Sequence, residues 1–151
     1  MRKLTLLFVV GSVGLAACGG EDKPSKSEFA NSANNICADL EKASERLGTP
    51  DSVAEIEKFA SDAEKEVDEA VAKLEGLETP EGEDGDKAQE FVDAIKKDTN
   101  DKIKPALNDL RNAAQAKDEK AIVAAAEKIQ AVETPESDRL ANEIGARGCA
   151  D

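Results

Sequence analysis

VAEIEKFASDAEKEVDEAVAKLEGL, residues 53–77, decides the fold class. Its apolar residues Val53, Ile56, Ala60, Ala63, Val67, Ala70, Leu74 and Leu77 fall alternately three and four apart, which lays one stripe along a helix and leaves charges on the other faces. The same spacing recurs at Phe29, Ala33, Ile36, Leu40, Ala43 and Leu47, and again at Ala88, Phe91, Ile95, Ile103, Ala106, Leu110 and Ala113. Ala121, Ile122, Ala125, Ile129 and Val132 form a shorter fourth stripe, followed by a turn or two around Leu140 and Ile144. No segment alternates with the period of a strand. The expected fold is all-α: an antiparallel helical bundle of about four helices plus a short C-terminal helix, in a domain spanning 28–151. About 120 residues suffice for one modest hydrophobic core.

Pro105 sits inside the third stripe, where it removes a backbone donor and crowds the carbonyl one turn earlier. The stripe resumes in phase at Ala106 and Leu110, so a single helix bent near 100–104 is preferred to two separate helices. Between the stripes one phrase recurs, at Leu47-Gly48-Thr49-Pro50-Asp51, Leu77-Glu78-Thr79-Pro80-Glu81 and Val132-Glu133-Thr134-Pro135-Glu136. Threonine as cap, proline in the first turn and an acid at the positive end of the dipole make helix punctuation. The competing reading, a Thr-Pro recognition or phosphorylation site, has no further support. Unequal spacing of the phrase argues against a solenoid array.

Ahead of the domain, Arg2 and Lys3 precede an apolar run from Leu4 to Val13, and Leu15-Ala16-Ala17-Cys18 follows. The run is too short and too broken by Gly11, Ser12 and Gly14 to span a hydrocarbon core, which takes about 20 residues. It has the order of an export signal. Leu15 to Cys18 resembles the lipobox of bacterial lipoproteins, which implies cleavage between Ala17 and Cys18 and a diacylglyceryl group on the Cys18 sulfur. Residues 1–17 are then a signal peptide, and 18–27 a lipidated cysteine with a polar tether, GGEDKPSKS from Gly19 to Ser27. Each methylene placed in the bilayer is worth about 0.8 kcal/mol, so two acyl chains hold the chain without a basic patch.

The sequence contains no such patch. It carries 20 Lys+Arg against 33 Asp+Glu; without Arg2 and Lys3 the balance is 18 against 33, a net charge of −15. Such a body repels nucleic acid and anionic lipid. Aromatic residues make up 3%, with no Trp or Tyr to stack on bases.

With Cys18 assigned to lipid, Cys37 and Cys149 remain. Export favours their oxidation to a structural disulfide. A redox pair or an intermolecular bridge are the alternatives, and no Cys-x-x-Cys spacing supports the first. Lipobox cysteine, short tether, Asn34-Asn35-Ile36-Cys37 on the first helix, Thr-Pro junctions and a late cysteine together resemble the small helical lipoproteins of actinobacteria, most without assigned function. The resemblance implies a cell-envelope location on the outer face of the plasma membrane. It implies no activity.

Reactive machinery is sparse. The chain has no histidine, the commonest general base and transition-metal ligand, and no nucleophile-elbow, P-loop or dinucleotide fingerprint. Helix acids such as Glu64, Glu66, Asp68 and Glu69 are expected on solvated faces, with i,i+4 pairs Glu69–Lys73 and Asp93–Lys97. One acidic loop stands out: Glu81, Glu83, Asp84 and Asp86, interleaved with Gly82 and Gly85 and followed by Glu90. Its oxygens could serve calcium, but the spacing is not that of an EF-hand, and acids opening a helix also answer the dipole. The expectation is a protein that is not an enzyme and has no cofactor, a lipid-anchored acidic module that binds another protein. The alternative is a carrier of a small apolar ligand or lipid, which would need a cavity of about 300 Å³ or more lined by Phe29, Phe59, Phe91 and the leucines.

Overall fold

The structure, a computed structural model, describes residues 23–150. The signal peptide 1–17, the cleavage point between Ala17 and Cys18, the lipid-bearing Cys18 and the tether up to residue 22 lie outside the described residues. Six α-helices follow in order: α1 Lys26–Leu47, α2 Val53–Glu75, α3 Glu83–Asp98, α4 Lys104–Ala116, α5 Glu119–Gln130 and α6 Pro135–Ile144. A π-turn, Thr99–Ile103, joins α3 to α4, and a 3₁₀ turn, Arg147–Cys149, ends the fold. No strand occurs among the described residues.

The directions of the helices can be read from their polar pairs. Glu75 meets Lys96 at 2.6 Å, Asp68 meets Lys104 at 2.9 Å, Glu64 meets Arg111 at 2.8 Å and Glu57 accepts from Gln115 at 2.8 Å. Numbers fall along α2 as they rise along α3 and α4, so the two run antiparallel. In the same way Lys128 pairs with Asp109, Glu133 carbonyl with Lys102 and Ser137 with Asp98. The chain therefore returns antiparallel to the α3–α4 column through α5, which lies on α4, and α6, which lies on α3. The fold is an antiparallel four-column bundle. The short helix expected as an appendage is the second half of the fourth column, begun afresh at Pro135 in its first turn.

Pro105 neither breaks nor simply kinks the third column. The Lys104 N–H reaches back five residues to the Thr99 carbonyl, the hydrogen bond of a π-helix. One widened turn absorbs the missing donor of Pro105, and the helix continues beyond it. The preference for a single continuous element agrees with this, with a π-turn as the physical form of the bend.

Two apolar clusters with no residue in common lie along the bundle. Phe29, Ala33, Leu74, Ala88, Phe91, Val92, Leu140, Ala141, Ile144 and Ala146 fill the first, at the end where α1 begins. The second, at the far end, holds Ala60, Leu110 and Ala125, with Ile56, Phe59, Ile122 and Ile129 partly buried around it. α1 and α2 are long enough to pass both, since 22 and 23 residues at about 1.5 Å each extend some 33 Å.

Capping departs from the expected punctuation. α2 is capped by Ser52, whose Oγ accepts from the Glu55 N–H at 3.3 Å, and α3 starts after Gly82 at φ 67. Only Thr134-Pro135 opens a helix directly, and there the threonine hydroxyl turns to the Asp138 carboxylate at 3.0 Å, leaving the backbone uncapped. A serine two residues on offers α2 a better-placed acceptor, while buried Pro80 folds back over the start of α3. α1 begins at Lys26, inside the expected tether, because Ser25 and Glu28 form a capping box: Ser25 Oγ accepts from the Glu28 N–H at 3.3 Å and Glu28 Oε2 from the Ser25 N–H at 2.8 Å.

Gly85, in the first turn of α3, is required by close approach: a Cβ there would lie 2.1 Å from the Pro80 carbonyl oxygen. Helix propensity alone predicts that Gly85→Ala stabilises by about 1 kcal/mol. We expect the opposite sign, a loss of about 1–3 kcal/mol from forced displacement of the 80–82 turn, seen as a lower urea midpoint. A second prediction concerns pH. The Ser25 backbone N–H, and then its hydroxyl, hold the Glu28 carboxyl below its ordinary 4.5. A lowered folded value stabilises above the unfolded value and is lost as pH falls through the folded one. The Ser25 amide resonance should therefore titrate below pH 4.5, with fraying of the first turn of α1, and Glu28→Gln should abolish that titration.

Candidate functional site

Three polar features are built into the fold, and two of them lie at the end where the chain enters from its tether. The first is the clamp on the C-terminal tail. Asn34 on α1 donates from Nδ2 to the Gly145 carbonyl at 3.3 Å and accepts at Oδ1 from the Gly148 N–H at 2.7 Å. One turn on, Cys37 is bridged to Cys149 with Cα atoms 5.3 Å apart across a separation of 112 residues. Gly145 at φ 88 turns the chain out of α6, and the absent side chain of Gly148 leaves room for Asn34, whose Oδ1 a Cβ would meet at 3.0 Å. Asn34, Ile36 and Cys37 thus divide the work of holding the tail: hydrogen bonds, packing against the first cluster and a covalent bond. The disulfide expected from cysteine parity is present, half-buried beside that cluster.

A concavity of about 420 Å³ opens at the same end, lined by Lys23, Pro24, Ser25, Lys26, Pro80, Glu81 and Asp84. Lys26 and Asp84 are paired across it at 3.2 Å. The acids considered for calcium do not converge. Glu83, Asp84 and Asp86 are strung along the first turn of α3, where the helix dipole favours them, and Asp84 is already engaged by Lys26. Among the described residues no group of three or more acid, cysteine or histidine side chains is placed to hold a metal ion.

The third feature lies at the π-turn. Asp98 is 6% exposed; its Oδ2 is 2.9 Å from Ser137 Oγ on α6, and its Oδ1 is 2.7 Å from Lys102 Nζ. Lys102 also donates to the Glu133 carbonyl at 2.8 Å. A charge so buried is tolerable only when paired and hydrogen-bonded, and here both oxygens are satisfied. This group docks the start of α6 onto the π-turn. Sequence reading missed it, since Asp98 falls in phase with Phe91 and Ile95 but is charged, and its partner is 39 residues away.

Apolar cavities do not stand out. Phe29 and Phe91 are 2% and 0% exposed, in contact with the first cluster, and Phe59 flanks the second. A second concavity, about 410 Å³ and open, is a shallow depression on α2 beside Ser61, Glu64, Lys65, Asp68, Glu69 and Ala72. Neither concavity is lined by a phenylalanine or a leucine. The surface is polar: among the described residues Val123 is the one large hydrophobic side chain that is exposed. Its ion pairs differ from the expected ones. Glu69 pairs with Lys65 and Lys97 with Asp101, while Asp93 accepts from Gln89. No helix among the described residues is long and apolar enough to cross a membrane. Comparison with family models, curated proteins and solved structures finds no match to this chain.

The chain-entropy account of cross-linking gives about 4–5 kcal/mol for a closed loop of this length. Cys37→Ser with Cys149→Ser should lower the unfolding free energy by that order, read from chemical denaturation. Asn34→Ala should cost about 1–2 kcal/mol through two lost hydrogen bonds.

Proposed function

We propose that this is a non-catalytic lipoprotein of the cell envelope: an acidic helical module held to the membrane by a lipid on Cys18 and docking another protein from the outer face of the plasma membrane. The observation that carries the reading is the Cys37–Cys149 bridge. Such a bridge is favoured in an oxidising compartment, and it occupies both cysteines downstream of the lipobox, leaving Cys18 as the thiol available for acylation.

The placement of the chain ends supports it further. α1 begins at Lys26, inside the expected tether, and the C-terminal tail is fastened to that same helix, so both described chain ends lie at one end of the bundle and the α1–α2 and α4–α5 turns at the other. With a net charge of −15 after loss of the leader, the module is repelled by anionic head groups, and lipid alone would retain it. A partner would meet a surface of charged side chains, so complementary basic groups would govern its docking. The likeness to small helical actinobacterial lipoproteins belongs to the same proposal.

Mass spectrometry of the native product is the test. The expected mature chain lacks residues 1–17, starts at Cys18 and carries added acyl mass, and Cys18→Ala should release it from the membrane fraction. A product retaining Met1, or one without acyl mass, would remove the anchoring half of the proposal. Crosslinking on intact cells, with Cys18→Ala as comparison, tests the docking half: one partner should be recovered reproducibly and depend on the anchor.

A further inference from the structure

α5 buries a smaller share of its residues than any other α-helix among the described residues. Of its twelve residues only Ala125 is buried, whereas α6, two residues shorter, buries Ser137, Leu140, Ala141 and Ile144. α5 packs chiefly on α4, and its interhelical ion pair, Lys128 with Asp109 at 2.6 Å, joins two side chains each more than half exposed, a kind of pair that contributes little in water. Both its joints are sharp. Lys117, at φ 54 and ψ 34, is the one non-glycine residue with positive φ among the described residues, a left-handed conformation disfavoured for lysine. At the other end the chain turns through Ala131–Thr134 into Pro135. Beneath α5 lie Ala60 and Leu110, with Ile56 and Phe59 at their edge.

We propose that α5 is a strap: it swings off α4 about the Lys117 and Ala131–Thr134 joints and bares the far apolar cluster, while the end of the bundle closed by the disulfide stays shut. The first cluster is cross-linked through Cys149, which packs against it, and α6 is tied to the π-turn by the Asp98–Ser137 hydrogen bond. From α5 the exposed Lys128–Asp109 pair crosses, with no buried hydrogen bond or covalent link beside it among the described residues. The movement supplies an apolar surface where, among the described residues, Val123 is the one exposed large hydrophobic side chain, itself on α5. It depends on the helix packing and not on the anchoring reading, so it holds for the chain with or without lipid.

Native-state hydrogen exchange on the mature chain with its bridge intact tests it. The amides of Ala121–Gln130 should exchange at least ~10-fold faster than those of Phe91–Ile95 and Leu140–Ile144. Asp118 accepts from the Lys120 and Ala121 N–H groups at 3.1 Å, so Asp118→Ala should speed α5 by about 5-fold and leave α3 and α6 unchanged. Alkylation gives a separate readout: Ala60→Cys in the far cluster should react while Ala88→Cys in the first stays protected. The strap is overturned if α5 is as protected as α6, if Asp118→Ala speeds all helices together, or if Ala60→Cys is as inert as Ala88→Cys.

Discussion

A proline in the middle of a long helix is the constraint around which this bundle is arranged. From Glu83 to Ala116 the backbone must pass Pro105, which can donate no hydrogen bond and whose ring presses on the carbonyl of Asp101. The π-turn at Thr99–Ile103 meets both demands by widening one turn. Widening also shifts the register of side chains between α3 and α4, although the single helix α2 packs along both. The returning column is split, α5 on α4 and α6 on α3, with the division at Thr134-Pro135 close to the level of the π-turn. The two apolar clusters match the two halves of this column, the first against α3 and α6 and the second against α4 and α5.

At the level of that offset an apolar contact gives way to charge. Asp98 and Lys102, one turn apart on the widened segment, reach Ser137 and the Glu133 carbonyl respectively. Lys102 thereby satisfies the Glu133 carbonyl, an acceptor that the break between α5 and α6 leaves without an intrahelical partner. The Ser137 hydroxyl lies 3.0 Å from the Thr134 carbonyl as well, within the first turn of α6. The polar knot fixes where α6 begins and makes the division of the fourth column a defined joint.

Much of the fold was legible in the sequence because helix packing here is local in period. The stripes in 29–47, 53–77 and 88–113 each set an amphipathic face, and each is a helix. Cysteine parity gave the bridge. What was not legible depends on contacts between segments distant in sequence: that α6 completes a column, that Asp98 is buried against Ser137, and that Asn34 holds the tail. Helix starts were misread for a local reason. Thr-Pro satisfies general capping preferences, yet Ser52 presents its hydroxyl to the Glu55 N–H, and the buried turn at Pro80 makes Gly82 and Gly85 necessary at the start of α3. Of the candidate site, the tail clamp was half visible: Cys37 with its partner Cys149, and Asn34 without the backbone groups it holds. The acids at 81–90 were visible as a composition, but their placement along a helix turn separates them.

The distribution of charge ties stability to surface character. Lys26, Lys96, Lys102, Lys104, Arg111 and Lys128 each reach a carboxylate on another element or across a turn, so a large part of the scarce positive charge is spent between or within helices. The excess acid is left outward, as at exposed Glu81, Glu83, Asp86 and Glu90. Individually such surface pairs contribute little, about 0–1 kcal/mol, but their antiparallel order along α2 and α4 disfavours a parallel or slipped pairing that would set acid against acid. The same economy makes the module a poor binder of anionic membranes in its own right. An acidic body whose cations are mostly paired with its own acids offers little attraction to an anionic bilayer, which is the physical reason the proposed lipid on Cys18 would complement the bundle.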